Sequence, residues 1–141
     1  MRSLRRLRSF CVPGVTSIVL ACFSNAVAQV SYKIADLGVL HNWNQGCAMG
    51  VNNHGWTEGM DGILDPSGKL ATGHAVINSG GTKIDLGTLG GPNSWTNYNG
   101  INDQGDAAGL AESSVPDPNG EDICGFGTHL TCLPFLWQKV S

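Results

Sequence analysis

Three observations predict an all-β fold built from repeats. Three sequence blocks recur in the same order, at offsets of 49, 50 and 59 residues. Charged residues make up only 13% of the chain while glycine occurs 20 times, which suits turn-rich strands better than helices. No stretch of eleven or more residues carries a helical period. The 41% of apolar residues suffices for a core and argues against disorder.

The chain divides at about residue 28. Arg2, Arg5, Arg6 and Arg8 form a basic start, Phe10 to Phe23 an apolar run, and Ala26-Val27-Ala28 a small-residue cleavage site. That order is a secretory signal with cleavage expected before Gln29. Val19-Leu20-Ala21-Cys22 offers a lesser alternative, a lipid anchor on Cys22, and Arg5-Arg6 a weaker twin-arginine reading. No later segment is apolar enough to span a bilayer. Residues 29–141 keep four lysines against eleven acids, a formal net charge of −7. Such a surface cannot neutralise a phosphate backbone, so nucleic acid is not an expected partner.

The repeat follows directly. Asp36–Leu40 (DLGVL) returns as Asp85–Leu89 (DLGTL), and Gly50–Met60 returns as Gly100–Leu110. His74–Asn78 (HAVIN) has its counterpart in Leu133–Trp137 (LPFLW), displaced further by an insertion of about ten residues within 113–132. Unit one is therefore about 32–82 and unit two about 83–138.

Each element then has a local reason. Tyr32–Leu37 and Lys83–Leu86 read as equivalent strands. Cys47–Val51 and Asn97–Ile101 lead into the turns Asn52-Asn53-His54-Gly55 and Asn102-Asp103-Gln104-Gly105. An Asn at the start hydrogen-bonds the backbone ahead, and a closing Gly takes positive φ, which makes each a hairpin turn. The return strands are Trp56–Met60 and Asp106–Ala111, and Asp65–Gly68 (DPSG) is another turn. His74–Asn78 and Pro134–Gln138 complete the set. Four strands per unit is the pattern of a propeller blade. The expected architecture is thus propeller-like antiparallel repeats, two blade units of an incomplete propeller, with self-association through the incomplete blades.

These blocks resemble the bacterial extracellular HAF repeat family, whose units carry DLGTLGG, GINDxG and HAFLW. DLGTLGG stands intact at Asp85–Gly91 and GINDQG at Gly100–Gly105, while the third block is degenerate in both copies. The resemblance implies export and a repeated β architecture. It implies no activity and brings no site residues.

Candidate chemistry is sparse. Cys124 and Cys132 flank a Gly-containing loop in an exported chain and are expected to form a disulfide. Cys47 is left over and is expected to be buried before Ala48. His41, His54, His74 and His129 lack metal-site spacing, so no metal or cofactor is expected. Asp117–Asp122 (DPNGED) bunches oxygen ligands without EF-hand spacing and reads as a solvated loop. Glu58 and Asp61 form the one carboxylate pair that a glycan-acting hydrolase would use. Trp43 and Trp95 follow the DLG block in each copy and are the candidate ligand-binding residues, with a glycan as the ligand class. Trp137 is expected to fill core. The leading expectation is an exported, non-enzymatic binding or structural module; the alternatives are the hydrolase and a remnant of a longer repeat protein.

Overall fold

The computed structural model describes residues 29–139. The segment expected to be a signal, with Cys22 and Arg5-Arg6, lies outside them. Seven strands and no helix make up the described residues: β1 (Gln45–Val51), β2 (Thr57–Leu64), β3 (Leu70–Ser79), β4 (Thr82–Asp85), β5 (Gly90–Ile101), β6 (Ala107–Pro116) and β7 (Leu130–Trp137). The fold is all-β, as the composition and turn spacing predict. It is an open sheet in the order β1-β2-β3-β5-β6-β7, with β4 also on β3.

The sheet is two antiparallel meanders in series. The first repeat is β1-β2-β3, in which Glu58 stands opposite Ile77 and Asp61 opposite His74. The second is β5-β6-β7, in which Ala108 stands opposite Leu136. The meanders join through one parallel pair, Gly73 with Asn93. β4 covers the rest of the outer edge of β3, with Ile84 opposite Ile77.

One turn design shapes the hairpins. At Asn52, Asp65 and Asn102 the first residue of the turn pairs its amide with the carbonyl four residues on, and its carbonyl accepts the amide of the closing glycine. The side-chain oxygen of that first residue also accepts amides ahead of it: His54 and Trp56 for Asn52, Ser67 and Lys69 for Asp65, Asp106 for Asn102. Asp117-Pro118-Asn119-Gly120 is the fourth copy of this turn, and there the amide of Asp117 reaches the carbonyl of His129 instead. The extra residues of the second repeat therefore follow Gly120 and precede β7. The disulfide expected between Cys124 and Cys132 is formed in this insertion, with Cα atoms 5.4 Å apart.

The apolar core is small and spans both repeats. Ile77, Ile101 and Ala107 are buried, with Trp56, Ile84, Leu86 and Trp137 packed against them. Trp137 thus takes the core position expected of it.

Two local expectations are corrected. Tyr32–Leu37 forms no strand, and Tyr32 and Ile34 are exposed. The pattern of this segment is that of β4, but among the described residues no strand pairs with it, and an unpaired segment gains nothing from extended geometry. Cys47 is exposed rather than buried, on β1, which stands at one edge of the sheet.

Candidate functional site

The most developed polar and aromatic arrangement in the described residues is the seam between the two repeats. It is built from the turn tips that the sequence repeats at an offset of 50. The Asn52 amide group donates to the Asn102 carbonyl at 2.9 Å. The backbone amide of Asn53 donates to Asp103 Oδ1 at 3.0 Å, and its side-chain amide to Oδ2 at 2.8 Å. Each residue thus meets its own equivalent in the neighbouring repeat. The Asn53 side-chain and backbone donors hold the Asp103 carboxyl below its ordinary value of 3.8, because they bond to its charged form.

Beside these tips, Trp56 crosses the seam. A Cβ on Gly105 would fall 2.5 Å from the Trp56 ring, so the ring lies directly on that glycine. Gly105 sits at φ 88°, a conformation in which side chains are strained. Trp56, Gly105, Ile77, Ile84 and Trp137 line a cleft of about 230 Å³, rimmed by Ser79, Gln104 and Lys139.

Three carboxylates are buried in these strands; Glu58 bonds directly across the seam, Glu112 is linked to it through Asn93, and Asp61 is held beside β4. Glu58, Asp61 and Glu112 are each at most 1% exposed. Glu58 accepts from the Thr96 hydroxyl and from the Gly100 amide, both of the second repeat. Gly50 stands opposite, and the Glu58 carboxylate occupies the space its Cβ would need. Asp61 pairs with Lys83 at 2.9 Å and accepts the Leu40 amide at 2.8 Å. Glu112 accepts from the Asn93 amide group and from the Thr128 hydroxyl, and Asn93 in turn accepts the Gly73 amide. That chain of bonds ties β3, β5, β6 and the insertion together. Buried carboxylates persist in folded proteins when their oxygens are bonded in this way.

Glu58 and Asp61 are three residues apart on a regular stretch of β2. Alternation in the pleat places them on opposite faces, so they do not flank one bond of a substrate. Asp117 is likewise engaged within its turn, its Oδ1 accepting the Asn119 and Glu121 amides.

The candidate tryptophans are not brought together on one exposed surface. Trp43 precedes β1, is half-buried and meets the His74 ring edge-on at 5.0 Å. Trp95 lies within β5 opposite Leu110, half-buried, with Nε1 enclosed and without a hydrogen-bond partner. Their matching positions after DLG conceal different settings, since β5 begins before Trp95 and β1 only after Trp43. His74 instead bonds Asp85 through Nδ1 at 2.9 Å. His54 is exposed in its turn.

No family model, curated protein or solved structure matches this chain. Geometry alone therefore supports a function. The seam residues that the sequence reading missed were signalled there by Asn and Asp at positions 50 apart, 53 and 103, on the tips of identical turns.

Proposed function

We propose that this chain is an exported, non-enzymatic β-repeat module of the HAF type, which acts by binding or by building surface structure. The observation that carries the reading is the contact between equivalent residues, Asn53 with Asp103 and Asn52 with Asn102. Repeats that meet through equivalent positions are units of a propagating array, the arrangement from which blades and solenoids are made. Of the acids that a hydrolase would expose, Glu58 is instead bonded to the second repeat and Asp61 is buried against Lys83. Export is supported by the signal-like residues 1–28 and agrees with the disulfide in the insertion. No helix of the described residues is long and apolar enough to cross a membrane.

The test is a panel of soluble polysaccharides, assayed both for binding and for release of reducing ends, with the natural chain and with Glu58→Gln. The module reading expects no release with either protein and the same binding profile for both. Release by the natural chain that disappears in Glu58→Gln would establish the hydrolase instead. Export is checked separately by sequencing the N-terminus of the secreted product, expected at Gln29.

A further inference from the structure

The second repeat repeats the strands of the first but lacks one of its partners. In the first repeat β4 lies along the outer edge of β3, with Ile84 opposite Ile77 and Lys83 opposite Asn78, and the Leu86 amide bonds the Ala75 carbonyl at 3.0 Å. β3 and β7 correspond at an offset of 59, which matches Ala75 with Pro134, Ile77 with Leu136 and Asn78 with Trp137. Among the described residues β7 has β6 as its only strand partner. Its outer edge therefore presents unpaired amides and carbonyls, and Leu136 is 64% exposed.

The missing strand exists in the sequence. Lys33-Ile34 followed by Asp36-Leu37-Gly38 repeats Lys83-Ile84 followed by Asp85-Leu86-Gly87, with Ala35 as one extra residue. That segment forms no strand: Ile34 is 98% exposed, whereas its equivalent Ile84 packs on the core, and Ala35, Asp36 and Leu37 line a hollow beside Gly46, Cys47 and Ala48 of β1, a place they leave when they dock. A second surface shows the same imbalance. β5 of the second repeat packs over the first, where Glu58 is sealed beneath Thr96. The equivalent surface of the second repeat is open: Gly100, Ala108 and Leu136 line a broad hollow there. The strand that would fill it by equivalence is β1, whose Cys47, Ala48 and Val51 are exposed.

We infer that the outer edge of β7 is a docking site for residues 33–37 of a second copy of this chain. The added strand runs antiparallel to β7, with Ile34 opposite Leu136 and Lys33 opposite Trp137. The Leu37 amide reaches the Pro134 carbonyl, and Ala35 forms a bulge. Its main-chain bonds supply the affinity and the apolar pair supplies the register. β1 of the incoming copy then covers the hollow at Gly100 and Ala108. The contact is heterologous, so copies join head to tail and close into a ring if the rotation permits. This rests on the repeat reading above but not on the absence of catalysis.

The test is intermolecular cross-linking on the exported chain. Ile34→Cys and Leu136→Cys are made in separate chains, both carrying Cys47→Ser, and are mixed under mild oxidation. Both positions are exposed, so neither change disturbs the fold. The expected result is a disulfide-linked species of twice the chain mass. It should be lost when Leu136→Cys is replaced by Val115→Cys, which is exposed on β6 away from that edge. Light scattering on the natural chain should show a discrete oligomer, lost in Leu136→Asp. A folded monomer with no Ile34–Leu136 cross-link overturns the docking and leaves the module reading standing. A chain carrying both cysteines that closes only on itself also overturns it, because the strand then belongs to the same copy.

Discussion

The two tip turns have the same backbone and different surroundings. Gly55 and Gly105 close them at φ 74° and 88°. The residue that follows is Trp56 in the first repeat and Asp106 in the second. Trp56 reaches over to cover Gly105, while nothing lies within 4 Å of where a Cβ on Gly55 would stand. Asp106 instead turns back and accepts the Asn102 side-chain amide at 3.0 Å within its own turn. The lesson is that the turn sets the local geometry and the residue after it decides whether the repeat grips a neighbour. The same division holds along β2 and β6. Glu58 is buried beneath the second repeat, and its equivalent Ala108 is exposed.

Substitution at such matched positions can break or sharpen this comparison. The largest difference is expected between Glu58 and Ala108. Glu58→Ala leaves the Gly100 amide without its acceptor and opens a hole between the repeats, a loss of about 3 kcal/mol. Ala108→Ser should stay within about 0.5 kcal/mol, as exposed positions do. Chemical denaturation of both variants measures the gap, and equal losses would mean that burial at the seam does not distinguish the repeats.

Next come the glycines. Gly55→Ala and Gly105→Ala both force a side chain into positive φ, a cost of about 1 kcal/mol. Gly105→Ala also drives a methyl into the Trp56 ring, adding about 1–3 kcal/mol. Thermal unfolding of the pair reads the difference.

The insertion offers a comparison of another kind, since the first repeat has none. Replacing Cys124 and Cys132 by Ser should cost about 2 kcal/mol by freeing a short loop in the unfolded chain. Faster amide exchange is expected around Thr128 and β7. Exchange in β1 and β2 should stay unchanged.

The smallest effect concerns pH. Asp103 has its carboxyl held low by Asn53, and Asp65 has its own held low by the Ser67 hydroxyl and the Lys69 amide. A lowered folded value contributes stability that is complete above the ordinary value of 3.8 and is lost as pH falls through the folded one. Unfolding temperature should therefore be flat from pH 7 to about 5 and fall below about 4. Asn53→Ala should make that fall shallower without abolishing it, because Asp65 acts within one repeat.

The legibility of this molecule follows the range of its interactions. Turns at Asn52, Asp65 and Asn102 are legible because a side chain and a glycine three residues apart settle them locally. The disulfide is legible from the spacing of Cys124 and Cys132 around a Gly-containing loop. Asp117-Pro118-Asn119-Gly120 is solvated, as its composition suggests, while the insertion that follows hides its kinship with Asp65-Pro66-Ser67-Gly68. Tyr32–Leu37 carries a strand pattern without being a strand, because that pattern describes a partner-dependent element. The seam was the least legible part. Glu58 and Asp61 look like a surface pair until Gly50 and Gly46 are seen opposite them, where Cβ atoms would collide with the two carboxylates. Long-range pairing of that kind leaves no local mark.

The central claim is that the repeats hold each other through matched turns, with Trp56 resting on Gly105. A thermodynamic cycle tests it most directly, with Gly105→Ala measured in the natural chain and again in Trp56→Ala. The account predicts that removing the ring reduces the Gly105→Ala penalty to that of Gly55→Ala, because only the backbone strain remains. An unchanged penalty in the Trp56→Ala background would mean that the ring does not lie on Gly105, and the seam described above would be wrong.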